Sequence, residues 1–328
     1  MPSWIFKAAL QRAIGVLPNA TAVNGWFQTH VTRSLELDDD VFRGKLDDAR
    51  GHIERFARHT DRPLRAALEI GTGWHPALPL ALVATGTERV VTHDIVELLT
   101  AETVRTTLGL FVTWHERGEL DNALPGVDPA RIRDFEAALK RPGDSPHALL
   151  EPLGIEYRVA DAMESGLRDG TVDLVASTVV LEYVPFEPLV ELFAEMRRIG
   201  APGAVHSHEI DLADQYHFFD PSISPFHFLR FSDRAWRWIS NPLIPMTRMR
   251  ANDYRRAFAD AGLLLADEAL DLGDPADLAA TPLAERFRDY DERDLLVTRA
   301  WFTALNPPES ARVADLIGAG EAELLTGA

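Results

Sequence analysis

The chain has 328 residues, of which 46% are hydrophobic, so it can bury the core of one large α/β domain and is not generally disordered. Its formal net charge of −18 argues against a nucleic-acid backbone or an anionic membrane as its partner. Cysteine is absent, which rules out disulfides and thiolate metal sites and fits a reducing compartment.

The chain begins with an apolar run that is too short for the core of a signal peptide. No stretch approaches the ~18 uninterrupted apolar residues of a transmembrane helix. We therefore expect a cytoplasmic protein with no membrane contact.

Residues 1–64 precede the first core strand and are predicted to form a helical extension. Apolar residues recur at helical spacing from Phe42 to Phe56 and give one continuous stripe. Ahead of this stripe, Trp26 and His30 lie in a segment rich in aromatic and β-branched residues. These residues either pack the extension onto the sheet or line a pocket, and packing is the commoner role.

The segment Ala67–Gly73, which reads Ala-Leu-Glu-Ile-Gly-Thr-Gly, combines a buried strand with a glycine turn. Two glycines spaced two positions apart allow backbone N–H groups to approach a ligand closely. A dinucleotide site would require a third glycine where Pro76 stands, so the spacing disfavours a nicotinamide cofactor.

The next strand, Arg89–His93, also ends in an acidic residue, Asp94, which lies 23 positions after Gly71. At about this distance in nucleotide-binding βαβ units, a carboxylate accepts hydrogen bonds from ribose hydroxyls. A third strand starts near Glu156 and ends in Asp161 and Ala162. The ends of these strands therefore supply one polar edge of a parallel sheet.

Residues 97–152 are predicted to form a helical insertion between the second and third strands. A structureless loop of this length would be unusual in a compact domain, so we expect two or three helices. Trp114 and His115 belong to this insertion, and packing is the more common role for such isolated residues.

The fourth strand, Val172–Ser177, is followed by the sequence Leu181-Glu182-Tyr183-Val184. A helix over Pro188–Ile199 has one apolar face and ends at Gly200, and the fifth strand runs to Asp211. A helix over 251–261 precedes two last strands, at 263–270 and 295–302, which are separated only by a loop. That arrangement predicts an antiparallel hairpin at the sheet edge.

This ordered set of motifs resembles the class I S-adenosylmethionine-dependent methyltransferases. The resemblance covers residues 65–305 and implies a seven-stranded Rossmann-like sheet with helices on both faces, with the N-terminal extension as a possible lid and residues 306–328 as a tail. It also implies S-adenosylmethionine as the cofactor. The residues that it assigns to cofactor binding lie at the strand ends: Glu69, Gly71, Thr72, Gly73, Asp94, Ile95, Asp161, Ala162, Ser177 and Thr178.

Within this resemblance, the glycine turn with Glu69 holds the methionine part of the cofactor, and Asp94 takes the ribose. Asp161 and Ala162 meet the adenine, while Ser177 and Thr178 offer backbone carbonyls to the ammonium group. Tyr183 replaces the histidine common in the family at its position, which puts the role of that position in question.

Ionisable residues are densest just after the fifth strand. His208 and His217 are the candidates for a general base, because transfer to a hydroxyl or an acidic carbon needs one. A divalent metal site built from the His and Asp residues is the alternative use of this cluster, and structural hydrogen bonding is the third interpretation. We assign no metal ligand by residue.

The leading hypothesis is a methyltransferase that acts on a small-molecule acceptor. The alternatives are a non-catalytic S-adenosylmethionine-binding or regulatory protein, and a metal-dependent hydrolase or lyase that uses the His/Asp cluster. The sequence does not identify the acceptor or the oligomeric state.

Overall fold

The computed structural model of the chain describes residues 4–15, 37–240 and 245–308. Seven strands form a single sheet. In chain order the strands are β1 (Ala66–Ile70), β2 (Arg89–Asp94), β3 (Ile155–Val159), β4 (Val172–Thr178), β5 (Gly200–Asp211), β6 (Leu264–Leu272) and β7 (Val297–Leu305).

Helices connect and cover these strands. In chain order they are α1 (Trp4–Gly15), α2 (Asp39–His59), α3 (Ala77–Ala84), α4 (Ala101–Glu116), α5 (Leu120–Ala123), α6 (Pro129–Leu139), α7 (Pro146–Leu150), α8 (Phe186–Ile199), α9 (Asp233–Ile239), α10 (Ala251–Asp260), α11 (Pro275–Ala279) and α12 (Glu292–Leu295). Short 3₁₀ turns cover Glu151–Leu153, Ala162–Glu164, Leu181–Tyr183, His227–Arg230 and Glu285–Phe287.

The strand order is β3-β2-β1-β4-β5-β7-β6. The first five strands pair in parallel, while β7 is antiparallel to both β5 and β6. Strands β2 and β3 are added on one side of β1, and the chain then returns to add β4 on the other side. The point between β1 and β4 is therefore the switch point where ligands bind in open α/β folds. The predicted seven-stranded sheet and its antiparallel edge hairpin are confirmed.

Helix α2 shows why the extension folds as predicted. Asp38 caps the start of this helix by accepting a 2.9 Å hydrogen bond from the Val41 N–H. Two further acidic residues lie in the first turn, where their negative charge interacts favourably with the helix dipole. The apolar stripe of α2, including Phe42 and Phe56, is buried in the core on one face of the sheet. This packing places the polar face of α2 beside the ends of β1 and β4.

The core has two main layers, one on each face of the sheet. Apolar residues from α2, α3 and the insertion helices form one layer, in which Trp114 is fully buried. Residues from α8 and α10 form the other layer, where the rings of Phe193 and Phe258 stack with centroids 4.3 Å apart. The sheet therefore carries helices on both faces.

The insertion contains four helices, α4 to α7, rather than two or three. Two of them, α6 and α7, begin with a proline that follows an Asp or Ser cap, so prolines that look like loop residues mark helix starts. The final strand begins at Val297, because the preceding residues, from Glu292, form α12.

Strand β5 carries two different rows of polar residues on its two faces. The His208 ring packs near the rings of Phe193 and Phe258, with centroids 5.5 and 5.9 Å away, on the α8/α10 face. Ser207, the preceding residue, lies 2.8 Å from the Nδ1 atom of His52 on the α2 face. Alternation along a strand sends neighbouring side chains to opposite faces.

None of the helices described is both long and apolar enough to cross a membrane.

Candidate active site

A cleft opens at the carboxyl ends of β1 and β4, and it consists of two adjoining cavities. The larger has a volume of about 630 Å³ and the smaller about 290 Å³. Both are lined by Gly71, Asp94, Ile95, Val180, Tyr183 and Val184. Glu69, Thr72, Gly73 and Thr178 line only the larger cavity, while Asp161 and Ala162 line only the smaller one.

The turn after β1 depends on its glycines. Gly71 has φ +85° and Gly73 has φ +66°. Residues other than glycine rarely adopt this left-handed backbone conformation. A Cβ atom on Gly71 would lie 2.2 Å from a methyl carbon of Val180. The backbone at this point therefore forms a cradle that any side chain would fill, as close approach to a ligand requires.

Asp94 joins the turn after β1 to the turn after β2. Its carboxylate accepts a 2.9 Å hydrogen bond from the Gly73 N–H and a 3.1 Å bond from the Val96 N–H. This fixes the carboxylate where the two cavities meet. In the smaller cavity, Asp161 caps a 3₁₀ turn by accepting from the Met163 N–H at 2.9 Å, and Ala162 is buried beside it.

Glu69 is a buried carboxyl group on the wall of the larger cavity. Thr92 donates a 2.5 Å hydrogen bond to it, and Thr72 is in turn hydrogen-bonded to Thr92. Burial raises the pKa of Glu69 to about 8, because the hydrogen bond from Thr92 and the charge of Lys45 offset only part of the desolvation. A cationic ligand group would supply the missing positive charge, and S-adenosylmethionine carries both a sulfonium and an ammonium group.

Thr178, at the end of β4, connects the cleft to a buried histidine. Its hydroxyl lies 3.0 Å from Nε2 of His52, whose Nδ1 atom lies 2.8 Å from the Ser207 hydroxyl. Trp301 donates a 2.8 Å bond to that same hydroxyl. Burial lowers the pKa of His52 to about 3, so the imidazole is neutral near pH 7. This network fixes the orientation of the Thr178 side chain.

The structure does not bring all the predicted site residues into the cleft. Ser177 is fully buried, and its hydroxyl lies 2.8 Å from Nδ1 of His208 on the face away from α2. His208 is also fully buried, and burial lowers its pKa well below the ordinary value. Neither side chain lines either cavity, because strand alternation turns both toward α8 and α10.

His217 lies in the loop after β5, where its Nδ1 atom is 2.5 Å from the carbonyl of Ile223. It does not line the cleft either. The other members of the cluster have separate partners: Asp214 with His227 at 3.2 Å and Asp220 with the Trp4 N–H at 2.9 Å. Across residues 4–15, 37–240 and 245–308, no three His, Cys, Asp or Glu side chains are grouped as metal ligands.

Several cleft residues were not predicted. Lys45 and Asp48, on the polar face of α2, line the larger cavity, and charged residues on an amphipathic helix give no signal of this role. Val179 also lines it and has a left-handed backbone, with φ 54°, which marks strain of the kind found at functional sites. Trp26 and His30, the predicted lid residues, lie outside the described residues.

Comparison with known proteins gives a partial sequence match. The family model described as "Methyltransferase domain" matches residues 126–207, which contain β3, β4 and most of β5. No curated protein sequence matches the chain.

Solved structures of similar shape include a putative methyltransferase in complex with the Trm112 methyltransferase activator of Haloferax volcanii, at 18% identity and TM-score 0.42, covering 82% of this chain and 95% of that one. A second is the geranyl diphosphate C-methyltransferase of Streptomyces coelicolor, at 14% identity and TM-score 0.42, covering 78% and 80%. A third is a putative sarcosine dimethylglycine methyltransferase of Galdieria sulphuraria, at 10% identity and TM-score 0.42, covering 88% and 86%.

These similarities are too low to carry an argument about function, and the fold follows from the order and direction of the strands. The strand order and the glycine turn at the switch point are those of a Rossmann-like methyltransferase fold, and residues 126–207 match the methyltransferase-domain model.

Proposed function

We propose that this protein transfers the methyl group of S-adenosylmethionine to a small-molecule acceptor. The observation that carries the proposal is the shared wall of the two cavities at Gly71, Asp94 and Tyr183. If the adenosine of the cofactor binds in the smaller cavity, its methionine part would lie under the glycine turn. The larger cavity then leaves space beyond that part, toward α2, for a second molecule.

The cofactor residues follow from this arrangement. Asp161 and Ala162 would contact the adenine, and Asp94 would accept hydrogen bonds from the ribose hydroxyls. Glu69 would balance the positive charge of the methionine part. Thr178 would lie between the cofactor and the acceptor, oriented by His52.

Methyl transfer from a sulfonium is an in-line displacement, and much of its acceleration comes from holding the reactants in line. The contribution of this chain would therefore be to align the two reactants. The structure gives His208 and His217 no contact with the cleft, so we propose that any proton acceptor is a carboxylate that lines the larger cavity.

The size and charge of the cleft support a small acceptor. A cavity of about 630 Å³ lies within the range of roughly 300–1,000 Å³ that is typical of small-molecule sites. The net charge of −18 opposes binding of a nucleic-acid backbone.

Calorimetry with S-adenosylhomocysteine, followed by mass spectrometry of acceptor mixtures incubated with S-adenosylmethionine, tests the proposal. We expect the cofactor product to bind and at least one acceptor to gain a methyl group. Absence of S-adenosylhomocysteine binding by the folded protein would overturn the assignment. Binding without transfer to any acceptor would instead support the non-catalytic alternative.

A further inference from the structure

A chain of side-chain hydrogen bonds runs from the core of the protein to Thr178 in the wall of the larger cavity. The Trp301 indole N–H donates to the Ser207 hydroxyl at 2.8 Å, and that hydroxyl lies 2.8 Å from Nδ1 of His52. The other ring nitrogen of His52, Nε2, lies 3.0 Å from the Thr178 hydroxyl. Ser207 and His52 are fully buried, whereas Thr178 lines the larger cavity. The chain of bonds therefore has one end in the core and the other in the cleft.

Helix α2 holds Trp301 in place at the inner end of this chain of bonds. A Cβ atom on Gly51 would lie 2.3 Å from the Trp301 ring, so the lack of a side chain there makes room for the indole. The guanidinium of Arg55 lies over the same ring, 4.0 Å from its centroid. The indole nitrogen donates hydrogen bonds and cannot accept them. Its fixed position therefore sets the direction of the first hydrogen bond, toward Ser207.

The direction of the next bond follows from what Ser207 and His52 can donate and accept. Burial lowers the pKa of His52 to about 3, so near pH 7 one ring nitrogen carries a proton and the other is an acceptor. Within the described residues, the Ser207 hydroxyl has two hydrogen-bond partners, Trp301 and His52. Because Trp301 only donates, the acceptor left for the Ser207 O–H is Nδ1 of His52.

The opposite arrangement would leave a buried donor without a partner. If Nδ1 carried the proton, it would donate to Ser207, and the Ser207 O–H would then have no acceptor in the core, which is costly. The proton of His52 therefore lies on Nε2, which donates to the oxygen of Thr178. Since no described side chain or carbonyl accepts the Thr178 O–H, this group is left to donate into the cavity that Thr178 lines.

We infer that His52 is a positioning residue that holds Thr178 as a hydrogen-bond donor to an oxygen atom of a reactant in the larger cavity. This inference rests on the proposed function and specifies the chemistry of its site. The oxygen belongs either to the carboxylate of the methionine part of the cofactor or to a carbonyl, carboxylate or phenolate group of the acceptor. A group that only donates hydrogen bonds would leave the Thr178 O–H without a partner.

¹⁵N NMR of the protein labelled in its histidine rings tests the direction of these bonds without any ligand. We expect His52 to carry its proton on Nε2, with Nδ1 bare, and to remain so from about pH 6 to 8, well above its pKa. The signals of His52 are those that disappear in His52→Gln or, if that variant does not fold, those that shift in Thr178→Ser. A proton on Nδ1 would overturn the inference.

Two substitutions of Thr178 separate its hydroxyl from its shape. Thr178→Val keeps the shape and removes the O–H, whereas Thr178→Ser keeps the O–H. Calorimetry compares S-adenosylhomocysteine with its analogue that lacks the carboxyl group. If the oxygen belongs to the cofactor, Thr178→Val should bind S-adenosylhomocysteine about tenfold more weakly than the parent protein does, and the analogue equally well. Thr178→Ser should bind both compounds like the parent protein.

If the oxygen belongs to the acceptor, both variants should bind S-adenosylhomocysteine normally, and the difference should appear in the kinetics. For an acceptor that the parent protein methylates in the mass-spectrometry screen, KM should rise about tenfold in Thr178→Val and stay unchanged in Thr178→Ser. Thr298→Val is the matched control, because the Thr298 hydroxyl donates to the Asp271 carbonyl at 3.2 Å and the residue lines neither cavity of the cleft. This control should match the parent protein in both measurements.

The outcomes separate this inference from the proposed function. If the parent protein does not bind S-adenosylhomocysteine, the proposed function fails, whichever ring nitrogen of His52 is protonated. If it binds, unchanged affinity and unchanged KM in Thr178→Val overturn the inference alone, and the affinity decides by itself where no acceptor is methylated. Equal losses in Thr178→Val and Thr178→Ser would also overturn it, because they would show that the shape of Thr178 matters and its O–H does not.

Discussion

The Thr92 hydroxyl donates a 2.5 Å hydrogen bond to the Glu69 carboxyl group beneath the glycine turn. This bond joins β2 to β1 inside the wall of the cleft, at a carboxyl group whose pKa is raised to about 8 by burial. The folded protein therefore holds a proton on Glu69 at a pH where the unfolded chain has lost it.

The stability of the cofactor-free protein should consequently depend on pH. Between pH 4.5 and about 8, Glu69 is protonated in the folded state and ionised in the unfolded state, so stability falls as pH rises through this window. Glu69→Gln removes this contribution, and its melting temperature should fall less steeply from pH 5 to 8. Calorimetric scans at several pH values measure the difference.

Glu116→Gln, at an exposed position in the last turn of α4, is the control for that measurement and should follow the parent profile. Parallel curves for Glu69→Gln and the parent protein would show that Glu69 does not titrate in this range.

Gly71→Ala should weaken binding of S-adenosylhomocysteine by at least about tenfold, because the new Cβ would lie 2.2 Å from Val180 in the cradle of the turn. Gly118→Ala is the matched control. Gly118 also has positive φ, +69°, but a Cβ there meets no atom within 4 Å. Both variants should lose about 1–2 kcal/mol of stability from the left-handed backbone, and only Gly71→Ala should lose affinity by calorimetry.

Asp94→Ala should reduce cofactor affinity by roughly 10–150-fold, as expected for about 1.5–3 kcal/mol from a hydrogen-bonded charged group. Asp94 has two roles, because it also accepts the N–H groups of Gly73 and Val96. Asp274→Ala removes a comparable carboxylate that accepts the Ala276 N–H at 2.8 Å on an exposed helix cap. Equal affinity of the two variants in titration calorimetry would remove Asp94 from the site.

His208→Ala should act on stability rather than on the cofactor. The substitution leaves a cavity beside Phe193 and Phe258 and deprives the Ser177 hydroxyl of its partner, at a cost of about 2–5 kcal/mol. Denaturant titration should show this loss, while the folded fraction binds S-adenosylhomocysteine normally. His217→Ala, in a partly exposed loop, is the comparison and should lose much less stability. A selective loss of turnover in either variant would restore the original catalytic interpretation.

The sequence was sufficient to predict the sheet and the location of the polar residues that follow β1 and β2 in the wall of the cleft. Strand ends in a parallel sheet meet at one edge, so the positions of Glu69, Gly71 and Asp94 follow from local patterns alone. The side chain of Ser177 faces His208 and not the cleft, and the sequence did not indicate this, because a run that is buried on both faces does not show which face each side chain occupies. The predicted role of its backbone carbonyl stays a prediction.

The wall of the cleft that faces α2 was harder to predict, since it is assembled from segments that are distant in sequence. His208 and Glu209 are neighbours on β5, and only the packing of α8 and α10 determines which of them lies toward the aromatic core. Asp48 lies on α2, more than a hundred residues before β5, and its charge is indistinguishable in sequence from that of any solvated helix residue. A cluster of histidines after a strand therefore suggested a base that the tertiary structure buries elsewhere.

Strand β5 carries different kinds of side chain on its two faces, and this limits which insertions and deletions the protein can accept. A shift of one position in β5 would press Glu209 into the stacked rings of α8 and α10 and would expose His208 to the cleft. Asn306 opposes such slippage, because it bonds His206 at 3.0 Å and the carbonyl of Gly200 at 2.7 Å, at the start of the strand. Insertions and deletions compatible with folding should therefore be confined to the loops around β5. A change in the preferred acceptor that involves a change in chain length would have to arise in these loops.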